Sequence, residues 1–189
     1  MTSLASDAAV AAEIHRPRRL LLDRSIAGCF ALATLLHVGL GARGLLVAGV
    51  VAILVELAAV DLERRVLPNA IVLPALLVVL SAQLALDPSF YLKTVVCAAG
   101  AGLFLFLPSL IRRGAVGMGD VKLAVLLGAA LGPLVASALA IGLTAAGGFA
   151  LLLVAVRSRA VLREAIPLGP FLAGGAIVAV LLSAPGALN

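Results

Sequence analysis

From residue 25 onward the chain alternates long apolar runs with short polar breaks. Each run holds about 17 to 23 residues with few charges, enough at 1.5 Å rise per residue to cross a hydrocarbon core about 30 Å thick. The runs are continuous rather than alternating and rich in Ala, Leu and Gly, which speaks for helices and against strands. The pattern predicts spans at roughly 25–42, 44–61, 67–86, 91–111, 120–136, 138–156 and 166–184. The apolar stretch 121–156 would make one helix about 54 Å long, so a break is expected inside it, at Gly132-Pro133. Residues 1–24 predict a short cytoplasmic tail ending in a basic cluster, ahead of one transmembrane domain over 25–189. No soluble domain, internal repeat or low-complexity linker interrupts it. The fold class is all-α, a polytopic transmembrane bundle of about seven spans.

Composition sharpens this reading. Hydrophobic residues fill 63% of the 189 positions and charged ones 12%, with a mean hydropathy of +1.24. A soluble domain carries about twice that share of charge. The net charge of +5 comes as short clusters between apolar runs and forms no basic face, so nucleic acid is not an expected partner. Such clusters set topology instead. With the N-terminus inside, Arg16, Arg18, Arg19, Arg24, Arg64, Arg65, Arg112, Arg113, Lys122, Arg157, Arg159 and Arg163 fall on the cytoplasmic side. Only Arg43 and Lys93 fall outside, and the reverse orientation would invert the bias. Cys29 and Cys97 sit in apolar runs without ligand-like spacing and read as packing residues. His15 and His37 are isolated, so no metal site is expected.

With charge so sparse, each acid can be weighed singly. Asp7, Glu13 and Asp23 belong to the tail, Asp87 to an external loop, and Glu164 to an arginine-rich loop. Asp61 closes the second span and Asp120 opens the fifth. Parity puts both at one membrane face, and the arginine count makes that face cytoplasmic. Two carboxyls around one water can supply both the base and the acid that peptide hydrolysis needs. Charges about 4 Å apart repel by roughly 4 kcal/mol at an effective dielectric of 20, so such a pair tends to keep one proton between them.

Each acid also has a plain structural reading. Asp120 stands where a helix N-cap would. Asp61 could be a solvated acid beside Arg64 and Arg65. Gly117 and Gly119 would let a backbone approach Asp120, though glycine is common in membrane helices. Lys122 opposes the dipole of its own helix. It reads either as a membrane anchor or as a partner for Asp120 or substrate. Glu56 lies about a turn and a half deeper than Asp61 on another face, as an accessory polar contact.

These residues carry a resemblance. Asp61-Leu-Glu-Arg-Arg-Val-Leu-Pro68-Asn69, followed by Leu73-Pro74, resembles the first aspartate motif of bacterial type IV prepilin peptidases. Gly117-Met118-Gly119-Asp120-Val121-Lys122-Leu123 is similar to their second, the GxGD motif. Ile166-Pro167-Leu168-Gly169-Pro170-Phe171-Leu172-Ala173 is similar to a third signature near the last span. The resemblance implies an aspartic endopeptidase with Asp61 and Asp120 as the catalytic pair. Gly117, Gly119, Lys122, Pro68 and Asn69 would be motif support. It implies a bacterial inner-membrane enzyme, its site facing the cytoplasm, that needs no cofactor and cuts the short basic leader from prepilin or pseudopilin precursors. The insert with paired CxxC motifs found in longer members is missing, so N-methylation is not expected and the compact peptidase-only members are the nearer likeness. A different class, a small transporter or assembly scaffold, would instead use an acid near the bilayer middle, and only Glu56 has that depth. Loss of Glu56 would disable a transporter and leave a peptidase largely working.

Overall fold

The computed structural model describes residues 17–64, 69–111, 116–157 and 167–184. All regular structure among them is helical: α1 (Pro17–Val38), α2 (Ala42–Arg64), α3 (Asn69–Leu86), α4 (Pro88–Ile111), α5 (Met118–Leu131), α6 (Val135–Arg157) and α7 (Gly169–Leu182). A single 3₁₀ turn, Gly132–Leu134, joins α5 to α6. Three stretches are long and apolar enough to cross a membrane: Ala42–Glu63, Pro88–Ile111 and Met118–Val156. Three shorter apolar helices, Arg24–Val38, Ile71–Leu86 and Gly169–Leu182, complete the bundle.

Local chemistry sets the breaks. Pro17 opens α1, where a missing N–H costs nothing. Past its end Gly39 adopts φ +106°, a value that favours glycine, and its N–H closes on the Leu35 carbonyl at 2.9 Å. Asp87 starts α4: its Oδ1 accepts the N–H groups of Ser89 at 3.0 Å and Phe90 at 3.1 Å, and Pro88 takes the first helical position. Its other oxygen accepts Arg43 Nη2 at 2.6 Å, so the acid of this turn meets a base in the first turn of α2. The Ser89 hydroxyl first, then the Phe90 N–H and Arg43, hold the Asp87 carboxyl below the ordinary carboxylate range. A depressed pKa contributes stability above the unfolded value and loses it as pH falls through the folded one. The melting-temperature difference between wild type and Asp87→Asn should therefore stay constant from about pH 7 to about 5. It should shrink below about pH 4.

The reversal expected at Gly132-Pro133 is present. Gly132 has φ +55° and Pro133 sits in the first turn of the 3₁₀ segment. Direction follows from neighbours. The starts of α5 and α7 both lie beside Asp61. A Cβ on Gly142 of α6 would meet the Phe171 carbonyl in the first turn of α7, whereas Ala138 lies against Gly175, one turn further along. Helix α6 thus runs toward the Asp61 end, and α5 runs away from it. Buried Gln83 of α3 supports the break by donating to the Ala129 and Ala130 carbonyls, both at 3.4 Å, in the last turn of α5.

Helix α5 is the centre. Nine residues between Val121 and Leu131 are buried, as expected of a helix apolar on all sides. Leu54 and Leu57 of α2, Leu123, Leu126 and Leu127 of α5, and Leu172 and Val180 of α7 form the middle of the core. Small residues let the backbones close. A Cβ on Gly128 would fall 2.5 Å from the Ala98 Cα of α4, and one on Gly175 would fall 2.4 Å from the Ala138 oxygen of α6. In lipid, where apolar burial drives association weakly, such close van der Waals packing holds helices together. On the far side of the bundle, His37 Nε2 of α1 donates to the Ser183 carbonyl beyond α7 at 2.9 Å.

Candidate active site

Asp61 lies one turn before the end of α2 and is 5% exposed. It is thus largely enclosed, unlike a fully solvated span-end acid. Instead Oδ2 accepts the Gly169 N–H at 3.1 Å. Gly169 is the first residue of α7, whose early N–H groups have no partner in their own helix. An acid at the C-terminal end of α2 opposes that helix's dipole, and the N-terminal end of α7 offsets the conflict. Glycine is required at 169 by space: a Cβ there would stand 2.6 Å from Asp61 Oδ2 and 3.1 Å from its Cγ. The other carboxylate oxygen of Asp61 has no hydrogen bond among the described residues.

Asp120 stands in the first turn of α5, half-buried. It is not the N-cap. That place belongs to Gly117, at φ −67° and ψ 140°, and no side chain caps the helix. The Asp120 N–H closes on the Gly117 carbonyl at 3.1 Å, and a Cβ on Gly117 would fall 3.0 Å from Asp120 Oδ2. Gly119 occupies the same turn. The segment before it is anchored by Ser109 near the end of α4, whose hydroxyl donates to the Val116 carbonyl at 2.9 Å. The Asp61 and Asp120 carboxyls lie near enough for their charges to act on each other. The sequence parity that put both acids at one end of the bundle is met.

Of the readings open for Lys122, pairing with Asp120 is not the one the structure shows. Its Nζ donates to Asn69 Oδ1, at the start of α3, at 2.8 Å and does not pair with Asp120. The contact ties α3 to α5 beside the two acids. Removing it should cost little because it is exposed. Lys122→Met and Asn69→Ala should each slow turnover only a few-fold, and the double variant no more than either single one, since both delete one contact. A double-mutant cycle on kcat reads this directly.

Pro68, the side chain of Arg64, and Arg65, Arg112, Arg113, Arg159, Arg163 and Glu164 lie outside the described residues. Arg43, Asp87 and Lys93 are placed at the end of the bundle away from Asp61. Glu56 is half-buried in mid-helix and makes no hydrogen bond or ion pair among the described residues. No three His, Cys, Asp or Glu side chains gather as a metal site among the described residues. The contact between Gly169 and Asp61 had one sequence signal, the Pro-Leu-Gly-Pro run before the last apolar stretch. That run marks a helix start but does not say what the start faces.

A helical membrane protein has here drawn two carboxylic acids from distant helices to one end of its bundle, with a third helix start set against one of them. The type IV leader peptidase family matches residues 45–156, more than half of the chain. The protein belongs to that family and is a membrane peptidase. The matched range contains Asp61 and Asp120, while Gly169 lies beyond it. Comparison with curated proteins and with solved structures returns no match.

Proposed function

We propose that this protein is an aspartic endopeptidase that removes the leader peptide from type IV prepilin-like or pseudopilin precursors. On this reading it acts at the cytoplasmic face of a bacterial inner membrane. The observation that carries it is that Asp61 and Asp120 lie within reach of each other's charge, in a chain of the leader peptidase family. One carboxylate takes a proton from a water held between the two as that water attacks the scissile carbonyl carbon. The other carboxyl lends its proton to the carbonyl oxygen. When the tetrahedral species collapses, the C–N bond breaks and the amine leaves with a proton from the pair. Asp61 is oriented by the Gly169 N–H, and its free oxygen is left for this work. Gly117 keeps the approach to Asp120 open, and the Lys122–Asn69 contact fixes the adjoining helix ends.

The distribution of Lys and Arg supports this orientation, since the span count assigns twelve of the fourteen cations to the same side as the two acids. The substrate's basic leader would meet acidic groups or anionic lipid headgroups there. The test is processing of a leader-bearing precursor by membranes that contain this chain, read as the mass of the product and its new N-terminus. Release of the intact leader supports the reading, and an uncut precursor in the presence of abundant wild-type protein overturns it.

A further inference from the structure

Helices α2 and α3 leave the acid-bearing end as neighbours, with Asp61 near the end of one and Asn69 at the start of the other. Further into the bundle a groove separates them, a cavity of about 570 Å³ lined by Leu45, Gly49 and Ile53 on one wall and Ile71, Pro74 and Val78 on the other. Leu45, Ile71 and Val78 expose large apolar surface along it. Its inner end lies at the start of α3, where Ile71 follows Asn69, the partner of Lys122, by two residues. Its length runs away from them across the bilayer.

Glu56 lies one turn along α2 from Ile53, the last α2 residue of the groove wall, on the inward side. It is three residues from Ile53 and seven from Gly49, so it shares their face of α2. It stands about 7.5 Å deeper than Asp61 by helix rise. An ionisable side chain inside a membrane span is costly and calls for a function. Here it has no partner among the described residues. An acyl chain would fill the groove and leave that carboxyl unmet.

A peptide would meet it. On the leader peptidase reading the precursor is cut just before an apolar helix, so its chain must be extended at the scissile bond and become helical just below it. The first turn of such a helix carries N–H groups with no intrahelical acceptor, and hydrocarbon offers none. We propose that the α2–α3 groove binds the apolar helix of the substrate, with Glu56 accepting N–H groups of its first turn. This rests on the leader peptidase reading and adds to it where the membrane part of the substrate lies and which residue sets its depth.

Gly49 is a clean probe because a Cβ there meets nothing within 4 Å, so a larger side chain enters the groove and not the core. Full-length chain in vesicles of phosphatidylethanolamine and phosphatidylglycerol is assayed on two substrates: a precursor with its apolar helix, and a peptide with the same leader and junction but no helix. For Gly49→Leu and Glu56→Leu, KM on the helix-bearing precursor is expected to rise about ten-fold or more with kcat unchanged, and cleavage of the short peptide to stay at the wild-type level. Wild-type KM in both variants on the helix-bearing precursor overturns the groove and leaves the peptidase reading standing. Failure of the wild-type chain to cut either substrate overturns both. A photo-crosslinker at Val78, in an Asp61→Asn background that holds substrate uncut, is expected to capture the apolar helix of the precursor. Capture of lipid alone, or of a second copy of this chain, overturns the assignment.

Discussion

Asp61→Asn and Asp120→Asn should each abolish leader removal, lowering kcat by about a thousand-fold or more, since each takes away a positioned acid or base. Asparagine is the informative replacement at 61. Its side-chain oxygen can still accept the Gly169 N–H, so the contact between α2 and α7 is kept while the titrating group is lost. An alanine would remove both and leave a buried N–H without an acceptor, at a cost of about 1 to 3 kcal/mol. At 120 the asparagine side-chain oxygen can likewise keep the interaction of the carboxyl with the Gly117 backbone. The measurement is co-expression with a precursor, followed by the ratio of processed to unprocessed chains at matched enzyme abundance. Normal processing by either variant would remove the proposed pair.

Gly169→Ala is the second large effect. The added methyl would lie 2.6 Å from Asp61 Oδ2, closer than real Cβ contacts come. Asp61 is short and 5% exposed, so its carboxyl can only turn away from the α7 N-terminus and from the geometry it holds toward Asp120. A displacement on the order of 1 Å at reacting groups costs about a hundred-fold in rate, and that is the loss expected in kcat. KM should change little, because Gly169 faces the enzyme's own acid. Gly174→Ala on the same helix is the control: its Cβ meets nothing within 4 Å, and activity should be unaffected. Equal activity of the two variants would show that Gly169 does not position Asp61. A matching fall in thermal stability for Gly169→Ala alone, with kcat kept, would make its role purely architectural.

Much of the fold was legible along the chain because it depends on local properties. Run length against bilayer thickness located the helices, and proline and glycine marked their breaks. The Gly132-Pro133 reversal is the strongest instance, since the alternative helix was too long for any membrane. The expected first span began at residue 25, whereas α1 begins at Pro17, because a basic, mixed segment can extend a helix beyond its apolar part. The parity of Asp61 and Asp120 was also readable, since counting spans needs no knowledge of packing.

Which groups touch was not readable, because contact between distant helices depends on crossing and rotation. By itself the sequence determined a helical membrane bundle, its reversal and the sharing of one end by two acids, since these follow from helix rise, hydrocarbon thickness and chain continuity. Only the tertiary structure set the α7 start against Asp61, took Lys122 to Asn69 instead of Asp120, and joined Arg43 to Asp87. It also decided that Gly117, not Asp120, is the N-cap of α5 and that an apolar groove opens between α2 and α3. These pairings arise where small residues let backbones approach and where long side chains find the nearest acceptor, and neither condition has a period that a sequence displays.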